Sequence, residues 1–199
     1  MKVKIKKEGK VETFKLINSW ADVTLSTWLK LIDYATGTKT EEAEATLAAL
    51  TDIPKQLVKE LSLSDVAVIM SKIGELQAKQ DTKLKRIITI NEVEYGFHPD
   101  LDSITLGEYA DIEQFIKNGI DKNLPELMSV LYRPIKLKKN DIYIIDAYDG
   151  DIRLRAEEMK QMSAEQVQSA LVFFYTLGKV LSEIMPSYLM ERLKEMKTQ

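Results

Sequence analysis

Residues Ile88–Ile116 read ITINEVEYGFHPDLDSITLGEYADIEQFI. Two short runs, Arg86–Ile90 and Val93–Phe97, flank Asn91-Glu92, and this pattern predicts a β-hairpin. Asn91 suits the first central position of a type I′ turn. Glu92 suits the second poorly, because that position needs positive φ and favours glycine. Thr105 and Glu108 then have the spacing of a capping box, which opens a helix through Ile112, Phe115 and Ile116. Asn118-Gly119 stops that helix. Another runs from about Leu124, with Pro125 in its first turn, to Leu131, and Arg133-Pro134 breaks it.

The same order occurs earlier in the chain. Lys2–Lys7 and Val11–Ile17 alternate around Glu8-Gly9-Lys10, a second predicted hairpin. Val3, Ile5, Val11 and Phe14 would supply its apolar face, with a bulge near Thr13 to absorb a phase change. Thr24 caps a helix through Leu25, Trp28, Leu29, Leu31 and Ile32 that Gly37 ends. Thr38 with Glu41 opens the next, to about Leu50. Pro54 precedes a short helix, Lys55 to Leu61, and Ser62 with Asp65 caps a fourth through Ile69, Ile73 and Leu76. At an offset of 81 residues Val23-Thr24-Leu25-x-x-Trp28 matches Ile104-Thr105-Leu106-x-x-Tyr109, and Leu50 matches Leu131. This suggests a duplicated unit whose copies bury a shared face.

Further on, Ile142–Ile145 reads as a strand, Asp149-Gly150 as a turn and Ile152-Arg153-Leu154 as a returning strand. Ser163 with Gln166 caps the most apolar helix, through Val167, Ala170, Leu171, Phe174, Leu177, Leu181 and Ile184, until Pro186 stops it. Phe173 and Tyr175 widen its stripe, and Tyr188, Leu189 and Leu193 continue as a short amphipathic tail. The expected fold is α+β and helix-dominated: two hairpin-plus-helix units and a long C-terminal apolar helix. The polar stretch Gln77–Lys85 separates unit 1–80 from unit 86–199.

The chemistry is defined largely by omission. The 199 residues hold no cysteine and one histidine, which removes disulfides, thiolate sites and multi-histidine metal centres. With 28 basic against 31 acidic residues the net charge is −3, so no specific nucleic-acid binding is expected. The run Lys136, Lys138, Lys139 beside Arg133 reads as a solvated loop. No phosphate-cradling glycine loop and no nucleophile elbow is present. His98 has Asp100 near it in sequence but no nucleophile, and reads as a turn or hydrogen-bonding residue. Asp146, Asp149, Asp151 and Glu157 have part of a calcium-loop spacing, but Asp151 stands where the sharp turn needs glycine. No catalytic residue, cofactor or metal is expected. The basic N-terminus has no apolar run behind it, so no secretory leader is expected, and no stretch is long and apolar enough to span a membrane.

The segment Ile88–Pro134, with LMSVLYRPI (Leu127–Ile135) running across its end and LVFFYTLG at Leu171–Gly178, resembles small morphogenesis and virion proteins of tailed bacteriophages. Among these are tail assembly chaperones and small structural proteins of crAss-like phages. Such proteins show a hairpin, an L-T-x-G-E/D-type helix start and an apolar helix with a Tyr/Arg/Pro-like stop. Glu92 departs from the Asn-Gly they favour at the turn. The resemblance covers residues 86–178 best. It implies a non-enzymatic structural subunit or assembly chaperone in the virion or host cytoplasm. It also implies other phage structural proteins, and further copies of this chain, as partners, and no membrane. The residues expected to meet a partner are Tyr132, Phe173, Tyr175, Tyr188 and Leu189. The alternative is a cytoplasmic adaptor whose N-terminal hairpin begins a ubiquitin-like β-grasp sheet. A carboxylate enzyme is a third class, with no pair of residues singled out.

Overall fold

In the first unit, strands β1 (Lys2–Lys7) and β2 (Lys10–Lys15) pair antiparallel in unbroken register, with Val3 opposite Phe14 and Ile5 opposite Glu12. The expected bulge near Thr13 is absent. An unbroken ladder keeps every backbone pair, and its cost is one exposed apolar residue, Val11, on the outer face. A 3₁₀ turn (Trp20–Asp22) leads to α1 (Leu25–Ala35), α2 (Lys39–Leu50), the single turn α3 (Lys55–Val58) and α4 (Leu63–Gln77). Thr24 caps α1 by accepting from Thr27 N, and Thr38 with Glu41 closes a reciprocal capping box on α2. The computed structural model describes residues 1–7, 10–77 and 83–172.

The second unit begins with β3 (Ile87–Ile90) and β4 (Val93–Phe97). Asn91 and Glu92 both take positive φ, 48° and 68°, so the turn has type I′ signs although Glu92 suits it badly. A 3₁₀ turn (Leu101–Ser103), α5 (Leu106–Lys117), a further 3₁₀ turn (Ile120–Lys122) and α6 (Leu124–Leu131) follow. The chain then passes directly into β5 (Tyr132–Lys139), β6 (Ile142–Ile145) and α7 (Ile152–Met159). The sheet order is β3-β4-β5-β6, all antiparallel. Two expectations change here. The segment containing Arg133, Pro134 and the lysines is an interior strand, and a register shift between Ile135 and Leu137 lies beside the proline that cannot donate to the ladder. Ile152–Leu154 opens a helix rather than a strand. Its three residues fit either period, and Ala156 and Met159, buried one and two turns on, decide for the helix.

Gly96 is required where Tyr143 crosses it. A Cβ there would lie 2.3 Å from the Tyr143 ring, whose hydroxyl donates to Phe97 O at 2.6 Å.

The two units share one backbone plan at the offset read from sequence. Val23 N donates to Trp20 O at 3.3 Å, and Ile104 N to Leu101 O at 3.4 Å. Ile17 N donates to Leu50 O at 3.1 Å, and His98 N to Leu131 O at 2.7 Å. The isolated bridge between Leu16 and Thr51 matches the pair Phe97–Tyr132, where β5 begins. The third strand of the second unit is therefore present in the first as a single bridge. The wider sheet that a β-grasp reading needs is not among the described residues of 1–80.

One core gathers Val3, Ile5, Leu16, Trp20, Leu47, Leu50 and Ile69; the other gathers Ile88, Phe97, Leu127, Leu131, Tyr132, Met159 and Val167. Trp28 packs against both. The chain returns to the first unit after α7. Ser163, with Gln166, caps a helix described over 164–172, and the rest of the expected C-terminal helix, Phe174 included, lies outside the described residues. Ser163 also bridges Thr24, and around that bridge Leu25 N donates to Met162 O and Ala164 N to Val23 O, both at 2.7 Å. Among the described residues no helix is long and apolar enough to cross a membrane.

Candidate functional site

Three ionisable side chains meet in a buried cluster. His98 follows β4, Glu108 lies in the first turn of α5, and Arg133 is the second residue of β5; all three are almost fully enclosed. Arg133 Nη1 stands 2.6 Å from Glu108 Oε1, and His98 Nε2 is 3.5 Å from the same oxygen. The Arg–Glu contact is one of charge rather than alignment, since Arg133 Nε and Nη1 meet no acceptor at hydrogen-bonding angles. Glu108 Oε2 accepts from Thr105 N and Oγ1, each at 2.7 Å, completing the capping box. The Tyr148 ring lies 5.7 Å from the Arg133 guanidinium, and the Tyr148 hydroxyl donates to Asp111.

These contacts set the titrations. Burial raises the Glu108 carboxyl, but Thr105, Arg133 and His98 outweigh it and hold the group below its ordinary value. Burial, helped by Arg133, lowers His98 against the pull of Glu108 and Asp100. Burial and the acceptor Asp111 push the Tyr148 phenol up. The cluster ties β4, α5 and β5 together. It presents no open cavity and no nucleophile, so its geometry suits holding those elements in register.

The basic run on β5 is largely neutralised within the chain. Lys136 pairs with Asp146 at 3.1 Å and Lys138 with Glu94 at 2.5 Å, while Arg133 is bound to Glu108. What the β5–β6 arm presents instead is apolar. Leu137 sits opposite Ile144, and Ile142 shares their face; their exposures are 67%, 58% and 79%. An exposed cluster of this kind on a hairpin is a candidate docking surface.

A cleft of about 560 Å³ lies between α1, α2 and α3. Ala45, Ala48 and Ala49 line it together with Tyr34, and charges of both signs surround it, with Glu44 and Lys59 3.9 Å apart. No group of three or more metal-ligating side chains occurs among the described residues. Asp149 accepts from Arg155 at 3.0 Å and from Asp151 N, which fixes the turn before α7.

Of the residues expected to meet a partner, Tyr132 is described, and it is core. Its exposure is 0%, its ring lies edge-on to Phe97 and its hydroxyl donates to Lys85 O. It became an interior residue because the chain continues as a strand between β4 and β6 rather than stopping at Arg133-Pro134. Phe173, Tyr175, Tyr188 and Leu189 lie outside the described residues. Sequence reasoning noted His98, Glu108 and Arg133 separately, as a turn residue, a cap and a helix stop, and missed that they meet. The usable signal was the capping box: a carboxylate drawn to the base of a helix that packs on a strand invites a cation from that strand. Comparison with protein-family models, with curated proteins and with solved structures finds no match for this chain.

Proposed function

We propose that this protein is a non-enzymatic morphogenesis protein of a tailed bacteriophage, either a subunit of the particle or an assembly chaperone. It works through protein–protein interfaces with other phage structural proteins. The observation that carries the reading is the apolar face of the β5–β6 arm, Leu137, Ile142 and Ile144, held out on a hairpin where Lys136 and Lys138 are already paired. Burying such a face against a partner removes apolar area from water, and the charged surface elsewhere keeps the free chain soluble. The reading also continues the 164–172 helix as a long apolar helix past its last described residue, with Phe173, Tyr175, Tyr188 and Leu189 as further partner-facing residues.

The test is a pull-down from phage-infected cells with the wild type and with Ile142→Lys/Ile144→Lys, followed by mass spectrometry of purified particles. A phage structural protein should co-purify with the wild type and be lost with the variant. Presence in the particle marks a subunit, and absence with retained capture marks a chaperone. If wild type and variant capture the same proteins, the arm is not the working surface and the reading fails.

A further inference from the structure

The repeated plan shows what one surface does when it is covered and leaves its counterpart bare. In the first unit the start of α1 is sealed: Leu25 is 0% exposed, and its N–H and the Val23 carbonyl are bonded to Met162 and Ala164. In the second unit the equivalent residues are Ile104, Thr105 and Leu106. Leu106 is 83% exposed, Tyr109 beside it is exposed too, and among the described residues nothing pairs with the Leu106 N–H or the Ile104 carbonyl. The local backbone matches as well, since Thr24 and Thr105 are both extended N-caps, at φ −77° and ψ 156° and at φ −72° and ψ 159°.

The covered site also shows which partner fits. Thr24 and Ser163 each cap a helix, and the bonds about them run both ways, Leu25 to Met162 and Ala164 to Val23. The bridge is thus two capped helix starts joined by a reciprocal pair of backbone bonds, beside which Ser26 N donates to Lys160 O at 3.0 Å without a counterpart. A surface that pairs with its own kind is the requirement for an isologous dimer. We infer that this chain forms a two-fold dimer through the start of α5, with Ile104–Leu106 of two copies paired antiparallel about Thr105. Each Leu106 N–H then donates to the other copy's Ile104 carbonyl, and the two Leu106 and Tyr109 side chains cover one another. The Glu108 carboxylates do not oppose this, because each is held inward by Thr105 and Arg133. The inference stands apart from the proposed function, which rests on the β5–β6 arm.

The test is analytical ultracentrifugation of the full chain over a range of concentrations, with Leu106→Pro as the principal variant. Proline is favoured at the first helical position, and the extended Thr105 accepts a following proline, so the fold is kept while the N–H and the leucine are lost. Leu63→Pro, at the exposed start of α4, is the control. The wild type and Leu63→Pro should dimerise, and Leu106→Pro should raise the dimer Kd at least ~10-fold with its circular dichroism unchanged. The chain has no cysteine, so Thr105→Cys is a second reading: oxidation should give a disulfide-linked dimer, and adding Leu106→Pro should abolish it. A wild type that stays monomeric at every concentration overturns the inference, as does a dimer that Leu106→Pro leaves intact.

Discussion

The two units follow one backbone plan and fill it differently. Where the second unit has His98, Glu108 and Arg133, the first has Ile17, Thr27 and Asp52 at the matching positions. Ile17 packs against the first core, Thr27 N donates to Thr24 Oγ1, and exposed Asp52 accepts from Lys15 N at 2.6 Å. The first unit closes with apolar packing and a single bridge. The second extends that bridge into β5, which places a polar residue between sheet and helix and answers it with an ion group. Buried ion pairs add little net stability, because desolvation offsets attraction, but breaking one strands a charge. What distinguishes the second unit is therefore the penalty for disturbing it.

That contrast can be broken most directly at Arg133 and Asp52. Arg133→Ala leaves Glu108 buried without its cation and should cost about 3–5 kcal/mol by chemical denaturation. Asp52→Ala removes one exposed hydrogen bond and should cost about 1 kcal/mol or less. Equal losses at both sites would show that the ion group matters no more than a turn contact.

Leu25 and Leu106 give the next largest difference. Leu25→Ala should cost about 2–5 kcal/mol, the range for a fully buried leucine. Leu106→Ala, measured at high dilution, should stay within about 0.5 kcal/mol of the wild type. A large loss at Leu106 under those conditions would mean that a further part of the same chain covers it.

Much of this plan was legible because its signals are local. The capping residues Thr24, Thr38 with Glu41, Thr105 with Glu108 and Ser163 with Gln166 each act within one turn, and all four start helices where the spacing placed them. The bounds of α6 and β6 were readable for the same reason. Strand β5 was not, because Pro134 and three lysines argue for a loop locally and the strand exists through pairing with β4 and β6. The ion group was hidden in the same way. Arg133 meets Glu108 only after two helices have brought β5 back beside α5.

Acid should separate the units as well. His98 is lowered from its ordinary value by burial and by Arg133, so the unfolded chain takes up that proton at higher pH than the folded one. The stability held by neutral His98 is full above the unfolded value, roughly 6.5, and is lost as pH falls below it. Glu108 is also lowered, so its contribution goes at more acid pH, below roughly 4.3. Melting temperature should fall from pH 7 to pH 5 in the wild type and less in His98→Gln. Parallel pH profiles would remove His98 from the account.

The smallest expected effect lies in the β3–β4 turn. Ile90 pairs with Val93, so this hairpin closes over two residues, Asn91-Glu92. Between the strands of the first unit the sequence reads Glu8-Gly9, while Glu92 here is held at φ 68°. A left-handed conformation crowds the Cβ of an ordinary residue, and glycine escapes that cost but loses more freedom on folding. The balance should leave Glu92→Gly more stable by about 0.5–1 kcal/mol, read as a raised denaturation midpoint with an unchanged slope. Glu92→Ala keeps the Cβ and should show no such gain. If both variants move the midpoint equally, the glutamate's charge rather than its backbone was the cost.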